Sequence, residues 1–127
     1  MKAYLAVGIG GIIGSSLRYL ISLLISVASF PWSTLIVNVT GAFLLTFILF
    51  HPSIKAKLSP IIFTAITTGI IGSYTTFSTI TVEVVMLLNS NYVLSIIYLF
   101  ATIFGGLFCS YLGFRFSYRL STGSIEK

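Results

Sequence analysis

Thr67-Thr68-Gly69-Ile70-Ile71-Gly72-Ser73-Tyr74-Thr75-Thr76-Phe77-Ser78-Thr79-Ile80-Thr81 is the stretch on which the fold turns, because ten of its fifteen residues are Ser, Thr or Gly. It lies inside an apolar run whose only charge between Lys57 and Arg115 is Glu83. Such a run is far too long for a core helix of a small soluble domain and long enough for membrane spans, each of which takes about 20 apolar residues. Glycine and hydroxyl residues at membrane depth have two readings. They allow helices to approach closely, or they mark a broken helix whose freed backbone groups face a cavity or an ion. Composition and spacing leave both open.

Working outward, the run from Lys2 to Lys55 carries only Arg18. Punctuation divides the two runs into four spans, at about residues 3–28, 33–50, 59–88 and 92–114. The breaks are Ser29-Phe30-Pro31-Trp32, His51-Pro52, Ser59-Pro60 and Asn89-Ser90-Asn91. Trp32 suits a membrane interface, and Pro60 is tolerated in a first helical turn. Residues 117–127 are expected to be a polar, frayed tail. A cleaved leader is not expected, because Arg18 and four glycines interrupt the first apolar stretch. The expectation is one all-α integral membrane domain of four transmembrane helices, the third broken near its middle.

Charge composition removes most enzymes. Of 127 residues only 7% are charged, with a formal net charge of +5, acids limited to Glu83 and Glu126, and no aspartate. A glycosidase needs two nearby carboxyls, a structural zinc about four Cys or His ligands, and a hydrolytic triad a base and its orienter. His51 and Cys109 are the single histidine and cysteine. The bases form no stripe that would track a nucleic acid. The glycines near Gly10 lack the last position of a dinucleotide fingerprint, where Ile13 stands.

What remains is a set of polar residues in hydrocarbon surroundings, where they usually face a cavity or a partner. Arg18 and Glu83 head it, either as groups at a vestibule or as snorkelling or paired side chains. Asn38 is the only amide in the second span. Thr102, Gly106 and Ser110 recur every four residues on one face of the fourth, as a polar track or as ordinary small-residue packing. Gly10, Gly14, Gly105 and Gly106 read as helix-packing surfaces.

Three segments together resemble a known family: Gly10 to Tyr19 (GGIIGSSLRY), Ser33 to Gly41 (STLIVNVTG), and Thr68-Gly69 through Gly72 to Thr75-Thr76-Phe77-Ser78-Thr79 with Glu83 after it. They are similar, in order and spacing, to motifs of the Fluc (CrcB) fluoride channels; the fourth span matches loosely. The resemblance implies an antiparallel dimer, fluoride pathways along the subunit boundary, and export of fluoride from the cell. It implies a pathway of Asn38, Phe77, Ser78, Thr79, Thr102 and Ser110, with Arg18 and Glu83 at the vestibules. It further implies a structural, non-transported sodium ion at the dimer centre, held by the backbone carbonyls of Gly72 and Thr75. Family members carry a second phenylalanine three residues after the first. Here that position is Ile80, on the expected face of Phe77 but without a quadrupole. On this reading Phe77→Ala or Asn38→Ala stops flux and leaves assembly intact.

The alternative is a small proton-coupled exporter of the multidrug type, also of four spans. Those depend on a glutamate in the first span, where this chain has Arg18 and no acid. A plain scaffold subunit would not need the clustered polar stretch.

Orientation follows from charge. With four spans, the N-terminus, the second loop and the C-terminal tail share a side, and they hold Lys2, Lys55, Lys57, Arg115, Arg119 and Lys127. The other two loops hold no base. The positive-inside rule then places both termini in the cytoplasm of a cell-membrane protein. One sequence inserting both ways calls for little bias, so the expected partner is a similar subunit of opposite orientation in a heterodimer, with a homodimer as the other arrangement. The remaining partners expected are fluoride and lipid.

Overall fold

The computed structural model describes residues 1–25 and 29–122. These residues are helical almost throughout: α1 (Lys2–Leu24), α2 (Trp32–Phe50), a short α3 (Pro52–Lys57), α4 (Pro60–Thr64), a π-helical segment (Ala65–Ile71), α5 (Gly72–Tyr74), α6 (Phe77–Ser90) and α7 (Tyr92–Thr122). Four stretches are long and apolar enough to cross a membrane: Lys2–Leu24, Trp32–Phe50, Pro60–Ser90 and Tyr92–Ser121.

Three boundaries differ from the sequence expectation. The first helix ends at Leu24, with Ile25 already out of helical geometry (φ −120°, ψ 70°), and residues 26–28 of the expected span lie outside the described residues. The second loop contains α3, which begins on Pro52, a residue pre-set for a first helical position. The expected polar tail is instead helix as far as Thr122, and Ser117 is fully buried within it. No Gly or Pro stands between Phe114 and Thr122, so nothing local stops propagation. Residues 123–127 lie outside the described set.

The most extensive contact runs between α2 and α7, followed by α1 against the π segment and α6 against α7. Glycines set the closest approaches. A Cβ on Gly10 would sit 2.5 Å from the Ala65 carbonyl oxygen, and one on Gly69 would sit 2.7 Å from that of Val7. A Cβ on Gly14 would overlap the Ile70 carbonyl. These residues therefore pack backbone against backbone, the solution open to helices that have no hydrophobic force between them in lipid. Gly106 differs from its expected packing role, since a Cβ there would meet nothing within 4 Å.

Gly14→Ala should cost about 1–3 kcal/mol, the usual penalty of forcing a methyl into a filled site, because the neighbour is backbone. Gly8→Ala, whose Cβ would meet nothing within 4 Å, should be neutral or slightly stabilising. Thermal melting of the purified variants checks this; equal melting of the two would show that the α1 contact tolerates a side chain.

Most large apolar side chains point away from the chain's own core, which is small. Val37, Ile71, Ile80 and Tyr98 are its buried hydrophobic residues. Hydroxyls along the helices bond back to their own carbonyls, as Thr40 does to Ile36 (2.6 Å) and Thr46 to Ala42 (2.9 Å). That answers the need of a polar group in surroundings without water.

Candidate functional site

Between α5 and α6 the backbone leaves helical geometry for two residues. Thr75 (φ −76°, ψ 157°) and Thr76 (φ −150°, ψ 124°) are both extended. Asn38, in mid-α2, holds this pair. Its Nδ2 donates to the Thr76 carbonyl (3.2 Å) and to the Thr34 carbonyl (2.9 Å), while its Oδ1 accepts from the Thr76 N–H (2.9 Å). The amide side chain thus pairs with the N–H and C=O of one residue, as a neighbouring strand would. Gly41, one turn along α2, makes room, since a Cβ there would overlap the Thr75 methyl.

The hydrogen-bond accounting at this point decides what the segment can do. In an unbroken α-helix the Gly72 carbonyl would accept from the Thr76 N–H and the Thr75 carbonyl from the Thr79 N–H. The first of those donors goes to Asn38 Oδ1 and the second to Thr76 Oγ1 (3.2 Å). Gly72 keeps only a long contact from Thr75 Oγ1, 3.5 Å. Both carbonyls are therefore without their helical donors. On the other side, Thr76 caps α6, its hydroxyl shared with Thr79 Oγ1 (2.9 Å) and Ser78 Oγ (3.3 Å). The first N–H groups of a helix lack intrahelical acceptors. Phe77 occupies the first position of α6 and is 81% exposed.

Phe77 and Ile80 do not share a surface, contrary to the expectation from spacing. Ile80 is buried in the subunit. Three residues place two side chains about 60° apart around a helix, enough here to put one outside and the other in the core.

Arg18 and Glu83 do share a cavity, of about 290 Å³. Its walls are Ser15, Arg18, Tyr19 and Ser22 from α1, Ser33, Thr34 and Val37 from α2, and Thr76, Thr79 and Glu83. Glu83 is held by hydroxyls: Thr34 donates to its Oε1 (2.8 Å) and Tyr98 to its Oε2 (2.6 Å). Sequence reasoning passed over Thr34 and Tyr98. For Tyr98 a sign was present, since it stands four residues before Thr102, on the face that Gly106 and Ser110 continue.

Thr102 is buried and donates to the Tyr98 carbonyl (2.8 Å), and Ser110 donates to the Ala42 carbonyl across the α2–α7 contact (3.4 Å). Their hydroxyl protons are engaged, as are both Nδ2 protons of Asn38. The structure brings Asn38, Thr76 and Thr79 together with the cavity of Arg18 and Glu83. It sets Thr102 and Ser110 farther along α7. Among the described residues no group of three or more His, Cys, Asp or Glu that could hold a metal ion occurs.

Comparison with known proteins identifies the family. Residues 5–114 match the family model described as CrcB-like protein, Camphor Resistance (CrcB). The chain is 43% identical over 115 residues to a protein of Geobacillus kaustophilus named fluoride-specific ion channel FluC 2, covering 87% of this chain and 89% of that protein. It is 43% identical over 106 residues to fluoride-specific ion channel FluC 1 of Desulfitobacterium hafniense, covering 82% and 93%. With fluoride-specific ion channel FluC of Thermus thermophilus the identity is 40% over 119 residues, covering 91% and 94%. Four membrane-length helices and this likeness over most of its length make it a multi-pass membrane protein. The chain belongs to the Fluc (CrcB) family of fluoride ion channels, a family of channels and not of enzymes.

Proposed function

We propose that the chain is one subunit of a fluoride channel that lets fluoride leave the cell, assembled as an antiparallel pair with a second family subunit. The observation that carries this is the diverted hydrogen bonding at Thr75–Thr76, with Phe77 displayed at the head of α6. It supports a third span broken near its middle, with carbonyls on one side of the break and amides on the other. The identity of the ion rests on the names of the relatives. Those names favour the channel over the proton-coupled exporter.

Fluoride is small and strongly hydrated, so a pathway must replace its water with donors. Asn38, Ser78, Thr79, Thr102 and Ser110 supply N–H or O–H groups. An anion reaching Asn38, Thr102 or Ser110 takes a proton now given to a carbonyl, exchanging one hydrogen bond for another. Phe77 offers an electropositive ring edge, beside the positive end of α6. Weak sites in series favour passage over retention. Arg18 and Glu83 stand in the cavity that we assign as vestibule. An antiparallel pair would present one such vestibule on each face.

The donor set suits a structural sodium ion. The Gly72 and Thr75 carbonyls are hard neutral oxygens without their helical donors, the kind of group that coordinates sodium at broken helices. Two opposed subunits would supply four of them, and the cation would offset anion charge without being transported.

Six bases on one side against none on the other support cytoplasmic termini and a heterodimer. The experiment is fluoride efflux from liposomes holding the purified chain, alone and with a family partner of opposite bias, in sodium and in a large organic cation. Flux is expected only with partner and sodium together. Flux from the chain alone, with its C-terminus found on both faces, overturns the heterodimer. Undiminished flux without sodium overturns the ion's structural role, and no fluoride flux in any arm overturns the channel.

A further inference from the structure

Tyr74 is an unusual residue for its depth. Tyrosine in a membrane protein favours the interfaces, where its hydroxyl meets water. Tyr74 instead ends α5 and lies against Gly41, near the middle of α2. A Cβ on Gly41 would be 3.3 and 3.6 Å from Tyr74 Cδ1 and Cε1. The glycine therefore lets the ring lie across α2 and brings its hydroxyl to Thr40, with 3.0 Å between the two oxygens. Proton accounting gives this bond a direction. Thr40 has one hydroxyl proton, and the Ile36 carbonyl at 2.6 Å takes it, so the Tyr74 O–H donates to Thr40 Oγ1. Phenylalanine would fill the same space without needing a partner, so the bond is what the hydroxyl adds.

With it, α2 grips the break from both sides. Downstream, Asn38 accepts from the Thr76 N–H. In a trans peptide the C=O points opposite to the N–H, so that bond turns the Thr75 carbonyl away from Asn38. Upstream, the Gly72 carbonyl belongs to the short turn that Tyr74 closes. Asn38 does not hold that turn, since its bonds to this segment go to Thr76. The Tyr74–Thr40 bond does. Asn38 and Thr40 stand two residues apart on one helix, so the two bonds together fix one carbonyl relative to the other.

We propose that Tyr74 is a positioning residue for the two carbonyls at the break: tethered to Thr40, it holds the Gly72 oxygen in register with the Thr75 oxygen and so sets how tightly the pair takes a cation. This role rests on the assignment of those carbonyls to a structural sodium ion.

The test is thermal melting of the full chain as it assembles in detergent, alone or with a family partner, titrated with sodium against a large organic cation at constant ionic strength. Sodium should raise the melting temperature of the parent. Tyr74→Phe keeps the ring on Gly41 and should need about fivefold more sodium for half of that rise, the equivalent of one ordinary hydrogen bond. Thr40→Val should give the same shift, the double variant no more than either single, and Thr40→Ser should keep the parent midpoint. Thr46→Val, which loses a bond to its own helix, should leave the midpoint in place. A hydroxyl that only holds helices together would lower melting equally at every sodium concentration. That result overturns the proposal, as do additive shifts in the double variant. Should Tyr74→Phe not assemble, equal midpoints for Thr40→Val and Thr40→Ser overturn it instead. A parent whose melting ignores sodium overturns the sodium assignment together with this role. A sodium-sensitive parent with an unmoved Tyr74→Phe midpoint overturns this role alone.

Discussion

Phe77→Ala should reduce fluoride efflux to the background of empty liposomes while changing the stability of the subunit by no more than about 0.5 kcal/mol, the range of surface substitutions. The ring is 81% exposed, so its removal opens no cavity within the chain. It stands at the first position of α6, where the helix presents its positive end. The loss is thus confined to whatever meets the ring from outside. Ile80→Ala is the contrasting case. Ile80 is buried, and truncating such a side chain typically costs 2–5 kcal/mol. Efflux and thermal melting measured on both variants separate the two roles. Parent-level efflux from Phe77→Ala would remove the residue from the pathway.

Asn38→Ala should also silence flux, but with a folding defect that the sequence reading did not foresee. That reading kept assembly intact, treating the amide as a donor waiting for an anion. In the structure both its protons and its oxygen are already engaged with Thr34 and Thr76. Truncation strands the N–H of Thr76, a buried residue, at about 1–3 kcal/mol for an unsatisfied buried group. It also frees the extended pair to relax toward helix. Hydrogen exchange at the Thr76 amide reads this directly: protection should fall in Asn38→Ala and persist in Phe77→Ala. Retained protection together with lost flux would return Asn38 to a purely pathway role.

Spans were legible because charge is so sparse that Arg18 and Glu83 are the only formal charges between Lys2 and Arg115 apart from Lys55 and Lys57. Helix ends were less so. Nothing in residues 117–122 resembles a stop, and the polar character that suggested a tail reports solvent preference and not backbone geometry. The π segment had no sign of its own. It is a wide winding of ordinary residues, Ala65–Ile71, set against glycines nearly sixty positions earlier. Site residues were legible as anomalies of composition, since Asn38, Arg18 and Glu83 are each costly in hydrocarbon. Their partners were hidden. Asn38 meets a peptide 38 residues away, and Glu83 meets Thr34, 49 residues away. Those distances lie in the fold and not in any local pattern, so the obvious partner by charge, Arg18, was the one the sequence offered.

The π winding makes the third span a place where the chain can change length. Each turn closed from residue i to i+5 takes in one residue more than the α-turn it replaces; the Gly72 N–H closes such a turn on the Thr67 carbonyl. A relative with one residue fewer between Ala65 and Ile71 can wind the same rise as ordinary α-helix and still deliver Thr75 and Thr76 to Asn38 in unchanged phase. A deletion after Ile71 has no such slack and turns α6 by about 100°, carrying Phe77 off its outward bearing. Length variation among homologues should accordingly collect upstream of Gly72 and be absent from Gly72 to Thr79.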